Sequence, residues 1–195
     1  MKKIILIILM LNWCAVNLYA EDISDFQIEG ISLYDSATDH FSKKILKDGK
    51  ADYYTSDKFI TSAIFDEFET YDYLQLSYKK NDNKYKIVDI SGTKRINYSE
   101  CLKSLDEIAN DISSIYNSNE VEFLDKQTYD HPADKSKQAK ITDIVWSFPN
   151  GDLIIVQCYD WESTAMGKEL NYVDELKIAI SNAEFDLWVS AEAYK

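Results

Sequence analysis

The Asn-Gly pair at positions 150 and 151 constrains the fold of this chain more than any other local feature. It separates two runs rich in β-branched and aromatic residues, 141–148 and 153–161. Asn and Gly both tolerate the positive φ angles of a tight turn, and this pair is the preferred connection of a β-hairpin. The sequence therefore predicts an antiparallel hairpin here, inside a sheet built with short turns.

Four other segments have the composition or the two-residue alternation of β-strands. They are 58–65, 71–80, 85–90 and 173–180. A polar turn, Asn81-Asp82-Asn83, joins the second segment to the third. Because strands joined by short turns pair antiparallel, these runs and the helical segments described next indicate an α+β fold.

The first predicted helix extends from Ser32 to Gly49. Ser32 and Asp35 resemble a capping box, and Gly49 is a typical residue at a helix C-terminus. Apolar residues recur every four positions along the segment, which predicts one buried helix face. That face contains Leu33, Ala37, Phe41 and Ile45.

The second predicted helix begins at Asn97, with Glu100 three residues later, and has the longest apolar stripe in the chain. The stripe contains Cys101, Leu105, Ile108, Ile112 and Ile115. Ser181 and Glu184 form a third capping pattern and predict a short C-terminal helix. The region 119–140 is polar and irregular apart from Val121 to Leu124, and its stretch 129–138 is predicted to be a long loop.

This order of elements predicts a single α+β domain over residues 21–195. The domain consists of two helix-plus-antiparallel-meander halves, approximately 21–96 and 97–195, with a short C-terminal helix. A chain of this length buries roughly 70 % of its unfolded surface in one core, so a second domain is not required.

The first twenty residues have the layout of an export signal. Lys2 and Lys3 precede the apolar run 4–16, and the small residue Ala20 precedes two acids. This pattern predicts a signal peptide cut after Ala20 and a periplasmic or secreted protein. The apolar run is shorter than the roughly 20 residues that span a bilayer, so no stable membrane anchor is expected after cleavage. An uncleaved anchor and a lipoprotein signal at Cys14 are the alternatives.

The charge of the chain excludes one large class of partners. The sequence has 21 basic and 34 acidic residues, a net charge of −13, and loss of residues 1–20 makes it −15. Nucleic-acid-binding proteins need a basic surface against the phosphates, so no nucleic acid is expected as a partner. The acids are dispersed along the chain, which is typical of a solvated surface.

Two cysteines, Cys101 and Cys158, remain after the predicted cleavage. An even pair in an oxidising compartment predicts a disulfide. Cys158 shares one strand face with Ile154 and Val156, while Cys101 lies on the stripe of the second helix. Packing of that face on the helix brings the two sulfur atoms together. Two free buried thiols are the alternative.

No motif for catalysis or cofactor binding occurs in the sequence. The zinc patterns His-Glu-x-x-His and Cys-x-x-Cys are absent, the five glycines form no phosphate-binding loop, and there is no Gly-x-Ser-x-Gly turn. The segment 47–52 lacks the ligand positions of a calcium loop. We therefore expect no catalytic residue, no metal and no cofactor.

One surface is the candidate for ligand binding. His131 lies between Asp130 and Asp134 in the predicted long loop, and an imidazole between carboxylates can bind a metal or act as a base. Asp160 and Trp161 end the hairpin and offer an acid beside an aromatic ring. For each of them, a solvated loop or a residue at the edge of the core is the alternative. The candidate surface is thus His131, Asp134, Asp160 and Trp161.

The mature chain resembles a group of uncharacterised exported bacterial proteins. The resemblance is carried by Asp-Phe-Gln-Ile-Glu-Gly-Ile-Ser at 25–32, by 71–82, by His-Pro-Ala-Asp-Lys-Ser at 131–136 and by Cys-Tyr-Asp-Trp at 158–161. Gly30-Ile31-Ser32 before a meander is distantly similar to small outer-membrane assembly lipoproteins, and the doubled unit is similar to β-lactamase inhibitor proteins. These similarities imply a binding module.

The sequence favours a non-enzymatic periplasmic or secreted binding module, whose partner is another envelope protein. A small-ligand or cation-binding protein that uses the 130–134 loop is the first alternative. A hydrolase that uses His131 is the second. No feature of the sequence indicates the oligomeric state.

Overall fold

Seven antiparallel strands among the described residues form one sheet that joins both halves of the chain. A computed structural model describes residues 23–52, 54–116 and 121–195. The predicted signal peptide, residues 1–20, lies outside these residues. A second, two-stranded sheet contains Gln27–Ile28 (β1) and Ile31–Ser32 (β2). The large sheet contains Phe59–Ile64 (β3), Tyr73–Lys79 (β4), Ile87–Arg95 (β5), Glu122–Asp130 (β6), Lys140–Ser147 (β7), Leu153–Asp160 (β8) and Glu175–Ser181 (β9).

The strand order in the large sheet is β3-β4-β5-β9-β8-β7-β6. One meander, β3 to β5, is followed by a helix and a second meander, β6 to β9. The last strand of each meander pairs with the other, so β5 and β9 form the seam of the sheet. This arrangement confirms the predicted α+β domain of two meanders.

In the described part of the chain, five α-helices accompany the sheet. They are Ala37–His40 (α1), Lys43–Asp48 (α2), Tyr98–Ile115 (α3), Ala165–Leu170 (α4) and Ala183–Ala191 (α5). α3 packs on one face of the sheet, while α5 packs on the other through Phe185 and Trp188. Among the described residues, no helix has the length and hydrophobicity needed to cross a membrane.

The disulfide between Cys101 and Cys158 is confirmed. The two Cα atoms lie 5.8 Å apart, and the bond joins α3 to β8. Both residues are fully buried in the main hydrophobic core, together with Ile154 and Val156 of the same strand face. The bridge therefore fixes the helix on the core face of the sheet.

The predicted start and stripe of α3 are correct except at the end of the stripe. The Asn97 side chain accepts a hydrogen bond from the Glu100 N–H, as the capping pattern predicted. Ile115, however, is 60 % exposed. The chain leaves the helix at Tyr116, whose ring packs on Phe148 at 5.1 Å and fills that end of the core instead.

The predicted first helix is wrong as a continuous element. Phe41 has extended backbone, and two short helices, α1 and α2, stand in its place. Ser42 caps α2 by accepting a hydrogen bond from the Ile45 N–H, and this new start changes which residues face inward. Leu46 is 1 % exposed, whereas Ile45 is 41 % exposed. Gly49 ends α2 as predicted.

No strand is predicted in the region 119–140, but residues 122–130 form β6, and only the following residues form the predicted loop. This strand lies at the edge of the sheet and is exposed along almost its whole length. An exposed edge strand needs no alternation of apolar and polar residues, so the sequence pattern did not reveal it. The loop begins only at His131.

The predicted hairpin of β7 and β8 is confirmed, but its turn differs from a two-residue Asn-Gly turn. The Gly151 N–H donates to the Phe148 carbonyl oxygen, so Pro149 and Asn150 occupy the centre of the turn. Of the turn residues Pro149, Asn150 and Gly151, only Gly151 has a positive φ angle, of 83°. Such a turn followed by a left-handed glycine is also a common hairpin connection. The C-terminal helix likewise starts one residue later than predicted, at Asn182.

Candidate functional site

The sheet has a core face and an open face because side chains alternate along each strand. On β8, Ile154 and Val156 point into the core, whereas Ile155 and Gln157 point to the other side. The open face differs from the core face in composition, because the central strands place polar side chains on it. α5 and the C-terminal residues cover only part of this face.

A groove of about 670 Å³ lies between the open face, α5 and the C-terminal residues 192–195. This volume lies within the range of roughly 300–1,000 Å³ that is typical of small-molecule sites. Strands of both meanders form its floor. Its lining includes Thr61, Gln75, Asp89, Asp143, Gln157, Lys177, Ser181, Leu153, Ile155, Phe185 and Asp186.

Lys177 on β9 lies in the middle of this floor. Its Cα is in register with Thr93 on β5 and Gln157 on β8. The Nζ atom is 3.4 Å from the Oε1 atom of Gln75. Among the ion pairs of the described residues none involves Lys177, so its ammonium group has no carboxylate within 4.0 Å.

Asp143 occupies the same row on β7, in register with Gln157. The Tyr129 hydroxyl donates to the Asp143 Oδ2 atom at 2.6 Å. Burial raises the pKa of Asp143, and the hydrogen bond from Tyr129 lowers it in part. The neighbouring carboxylate and the burial together raise the pKa of the Tyr129 hydroxyl, which remains a hydrogen-bond donor at neutral pH.

A second polar row crosses β3, β4, β5 and β9 with Thr61, Ser77, Asp89 and Ser181 in register. The hydroxyl oxygens of Thr61 and Ser77 are 2.7 Å apart, and Ser77 donates a long hydrogen bond of 3.4 Å to Asp89. Burial raises the pKa of Asp89 to about 6. The positive charge of Lys177 and the hydroxyl groups of Ser77 and Ser181 lower this pKa only in part, and the negative charge of Asp186 on α5 raises it further.

Three buried hydroxyl groups around the seam make no hydrogen bond of ordinary geometry within the described part of the chain, although two of them, Thr93 and Ser181, lie near Tyr73 and Asp89. They belong to Ser91 and Thr93 on β5 and to Ser181 on β9. Ser181 lines the groove and is 2 % exposed. Because buried polar groups are nearly always hydrogen-bonded, the Ser181 hydroxyl at the groove is available to a polar group from outside the chain.

His131 lies at the end of the groove, where β6 has ended. Its ring is 4.5 Å from that of Trp161 and 5.9 Å from that of Tyr159. The Nδ1 atom accepts a hydrogen bond from the Ala133 N–H. Burial lowers the pKa of His131 to about 4, despite the opposite effect of Asp134, so the imidazole is neutral at physiological pH.

The other two predicted acids serve their own loops. Asp134 accepts hydrogen bonds from the backbone N–H groups of Ser136, Gln138 and Ala139, which hold its pKa at about 2. Asp160 accepts a hydrogen bond from the Ser163 hydroxyl. Neither carboxylate lines the groove, and neither does Trp161. The structure therefore brings His131 and Trp161 together but does not form one cleft from the four predicted residues.

The groove acids and Lys177 were missed by the sequence analysis, although a signal for them exists. Asp89, Asp143 and Lys177 are charged residues inside otherwise apolar strands. Burying a charge is costly unless it is paired, so a charge inside an apolar strand indicates a polar patch on one face of the sheet. In the described ranges 23–52, 54–116 and 121–195, no group of three or more His, Cys, Asp or Glu residues is placed to hold a metal ion.

Comparison with known proteins gives no relative for this chain. No protein-family model matches it, and neither a curated protein nor a solved structure matches it. The resemblances to exported proteins, assembly lipoproteins and inhibitor proteins therefore stay predictions. Functional conclusions rest on the groove itself.

Proposed function

We propose that this chain is an exported binding module that holds a small molecule in the groove on the open face of its sheet. The observation that carries this proposal is the Ser181 hydroxyl, which is buried at the groove without a hydrogen bond of ordinary geometry. Lys177 lies on the same strand as a half-buried ammonium group whose hydrogen bond to Gln75 is long, at 3.4 Å. Leaving such groups unpaired costs about 1–3 kcal/mol each. A ligand that pairs them recovers this free energy on binding.

The shape and the composition of the groove support a small ligand. Its volume of about 670 Å³ accommodates a molecule of drug-like size. Apolar side chains line one part, including Leu153 and Ile155, and polar side chains of the floor strands line the rest. This combination gives a ligand both apolar contact and a fixed orientation.

Export to the periplasm or the medium is part of the proposal. It is supported by the disulfide between Cys101 and Cys158, because such bonds persist in oxidising compartments. The signal-like layout of residues 1–20 agrees with it. Mass determination of the protein recovered from the producing cell tests the cut after Ala20.

A fragment screen by NMR tests the proposed site. Isotope-labelled protein is titrated with a mixed library, and perturbed amide resonances are mapped. We expect them to cluster on β5, β8, β9 and α5 around the groove. Ile155→Trp places a large ring into the groove from a half-buried position and should abolish these shifts.

Leu187→Trp is the matched control, since Leu187 lies on the exposed side of α5 and does not line the groove. It should leave the fragment shifts unchanged. Fragments that bind only outside the groove, or that bind Ile155→Trp as tightly as they bind the wild type, would show that the groove is not the ligand site.

A further inference from the structure

We infer that the groove selects a small organic cation, with an ammonium group at Asp89 and Ser181 and an apolar body along Leu153 and Ile155. This inference rests on the proposed function, because it names the chemical class of the ligand of the same groove. Three observations carry it. The buried carboxylate of Asp89 lacks a strong partner, acidic side chains predominate in the lining, and apolar side chains lie directly beside the polar pair.

Asp89 is a buried carboxylate that lacks a strong partner. Its side chain is 7 % exposed, yet its hydrogen bond is a single long contact of 3.4 Å with Ser77. No ion pair with Asp89 occurs within the part of the chain that the structure describes. Buried charges in proteins are paired, and an ammonium group gives a carboxylate shorter and stronger hydrogen bonds than a hydroxyl does.

Ser181 supplies the second independent observation at this place. Its Cα is paired with that of Asp89 across the β5–β9 seam, and its hydroxyl lies near the Asp89 carboxylate but makes no hydrogen bond of ordinary geometry. A hydroxyl oxygen accepts a hydrogen bond as well as donating one. An ammonium group has three donors, so it can bind the Asp89 carboxylate and the Ser181 oxygen at once.

The charge of the lining favours a cation over an anion. Carboxylates outnumber ammonium groups among the lining side chains: Asp89, Glu122, Asp130, Asp143, Asp186 and Glu192 against Lys177 and Lys195. A cleft of one sign with walls of low dielectric concentrates counter-ions. Lys177 lies four residues from Ser181 along β9, so it repels a cation at its own end and directs the ammonium group toward Asp89.

Apolar side chains continue directly from the polar pair. Leu153 on β8 is in register with Ser181, and Ile155 is in register with Ala179 in the next row. All of these side chains line the groove. A ligand held by its ammonium group at Asp89 thus lays a hydrocarbon chain along this strip, and burial of each methylene contributes about 0.8 kcal/mol.

Three probes with the same hydrocarbon chain and different head groups test the inference: hexylamine, hexanol and hexanoate. They are titrated by NMR at about pH 8, where the Asp89 carboxyl is ionised. We expect hexylamine to bind the groove at least about tenfold more tightly than hexanol, and hexanoate to bind most weakly. Asp89→Asn should reduce hexylamine affinity about tenfold and leave hexanol affinity unchanged.

Asp111→Asn is the matched control, because it removes the same charge from the exposed side of α3, which packs on the core face. It should preserve the preference for hexylamine. If hexanol or hexanoate binds the groove as tightly as hexylamine, or if Asp89→Asn binds hexylamine like the wild type, the cation assignment is wrong while the groove stays a binding site. If none of the probes shifts groove resonances, the assignment is wrong as well, and the fragment screen then decides the proposed function.

Discussion

Asp89 on β5 and Ser181 on β9 are paired directly across the seam of the sheet, and both line the groove. The first residue belongs to one meander and the second to the other. Neither meander alone can form this pair, so the candidate site exists only where the two halves of the chain join. A surface built in this way depends on the folding of the whole domain.

Asp89→Asn should stabilise the protein at neutral pH. The folded-state pKa of Asp89, about 6, lies above the ordinary value of 3.8, so the ionised form destabilises the fold as pH rises through this range. We expect the free energy of unfolding of the variant to be about 3 kcal/mol higher than that of the wild type at pH 8. Below about pH 4 the difference should vanish, because both side chains are then neutral. Urea unfolding at the two pH values measures this, and a difference independent of pH would contradict it.

His131 should contribute a pH dependence of the opposite sign. Its folded-state pKa of about 4 lies below the ordinary 6.5, so the stability it contributes is present above pH 6.5 and is lost as pH falls toward 4. Relative to His131→Asn, the wild type should lose stability across this interval. The Asp89 effect overlaps it in the wild type, so the comparison is best made in an Asp89→Asn background. Parallel pH profiles with and without His131 would refute the assignment.

Replacing Cys101 and Cys158 together by alanine should lower the free energy of unfolding by about 4 kcal/mol. The bond closes a loop with a sequence separation of 57 residues, and the chain-entropy model gives this magnitude for such a loop. Denaturant unfolding of the double variant and of the oxidised wild type measures the effect. Free thiols that react in the native wild type would show that the bond does not form.

Gly167→Ala should destabilise the protein by at least about 2 kcal/mol. A Cβ atom at Gly167 would lie 1.9 Å from the Trp161 carbonyl oxygen, so α4 would have to move away from the end of β8. Lys168→Ala, on the exposed side of the same helix, should change stability by no more than about 0.5 kcal/mol. Denaturant unfolding of both variants and the wild type measures these differences. Equal unfolding midpoints for Gly167→Ala and the wild type would contradict the prediction, because α4 would then accommodate the Cβ atom without loss of stability.

Much of the fold follows from the sequence because the buried elements repeat with a clear period. Leu74, Leu76 and Tyr78 alternate inward in β4 as predicted, and Asn97 caps α3. The cysteine pair was predictable because both residues lie on apolar faces. These signals all come from local burial, which leaves a direct pattern in the chain.

The remaining features depend on the tertiary arrangement. β6 is an exposed edge strand and therefore carries no apolar pattern, and the restart of the helix at Ser42 moves Ile45 to the surface. The candidate site was predicted at the 130–134 loop because loop acids beside a histidine are visible in sequence. The groove was not predicted, since Asp89 and Ser181 lie 92 positions apart and meet only through the β5–β9 pairing.

A crystal structure of the protein soaked in hexylamine tests the central claim most directly, namely that the open-face groove binds a ligand through Asp89. The expected result is electron density along Leu153 and Ile155, with the nitrogen atom roughly 2.7–2.9 Å from an Asp89 carboxylate oxygen. Density for hexylamine only at other surfaces, with the groove occupied by water alone, would contradict the claim.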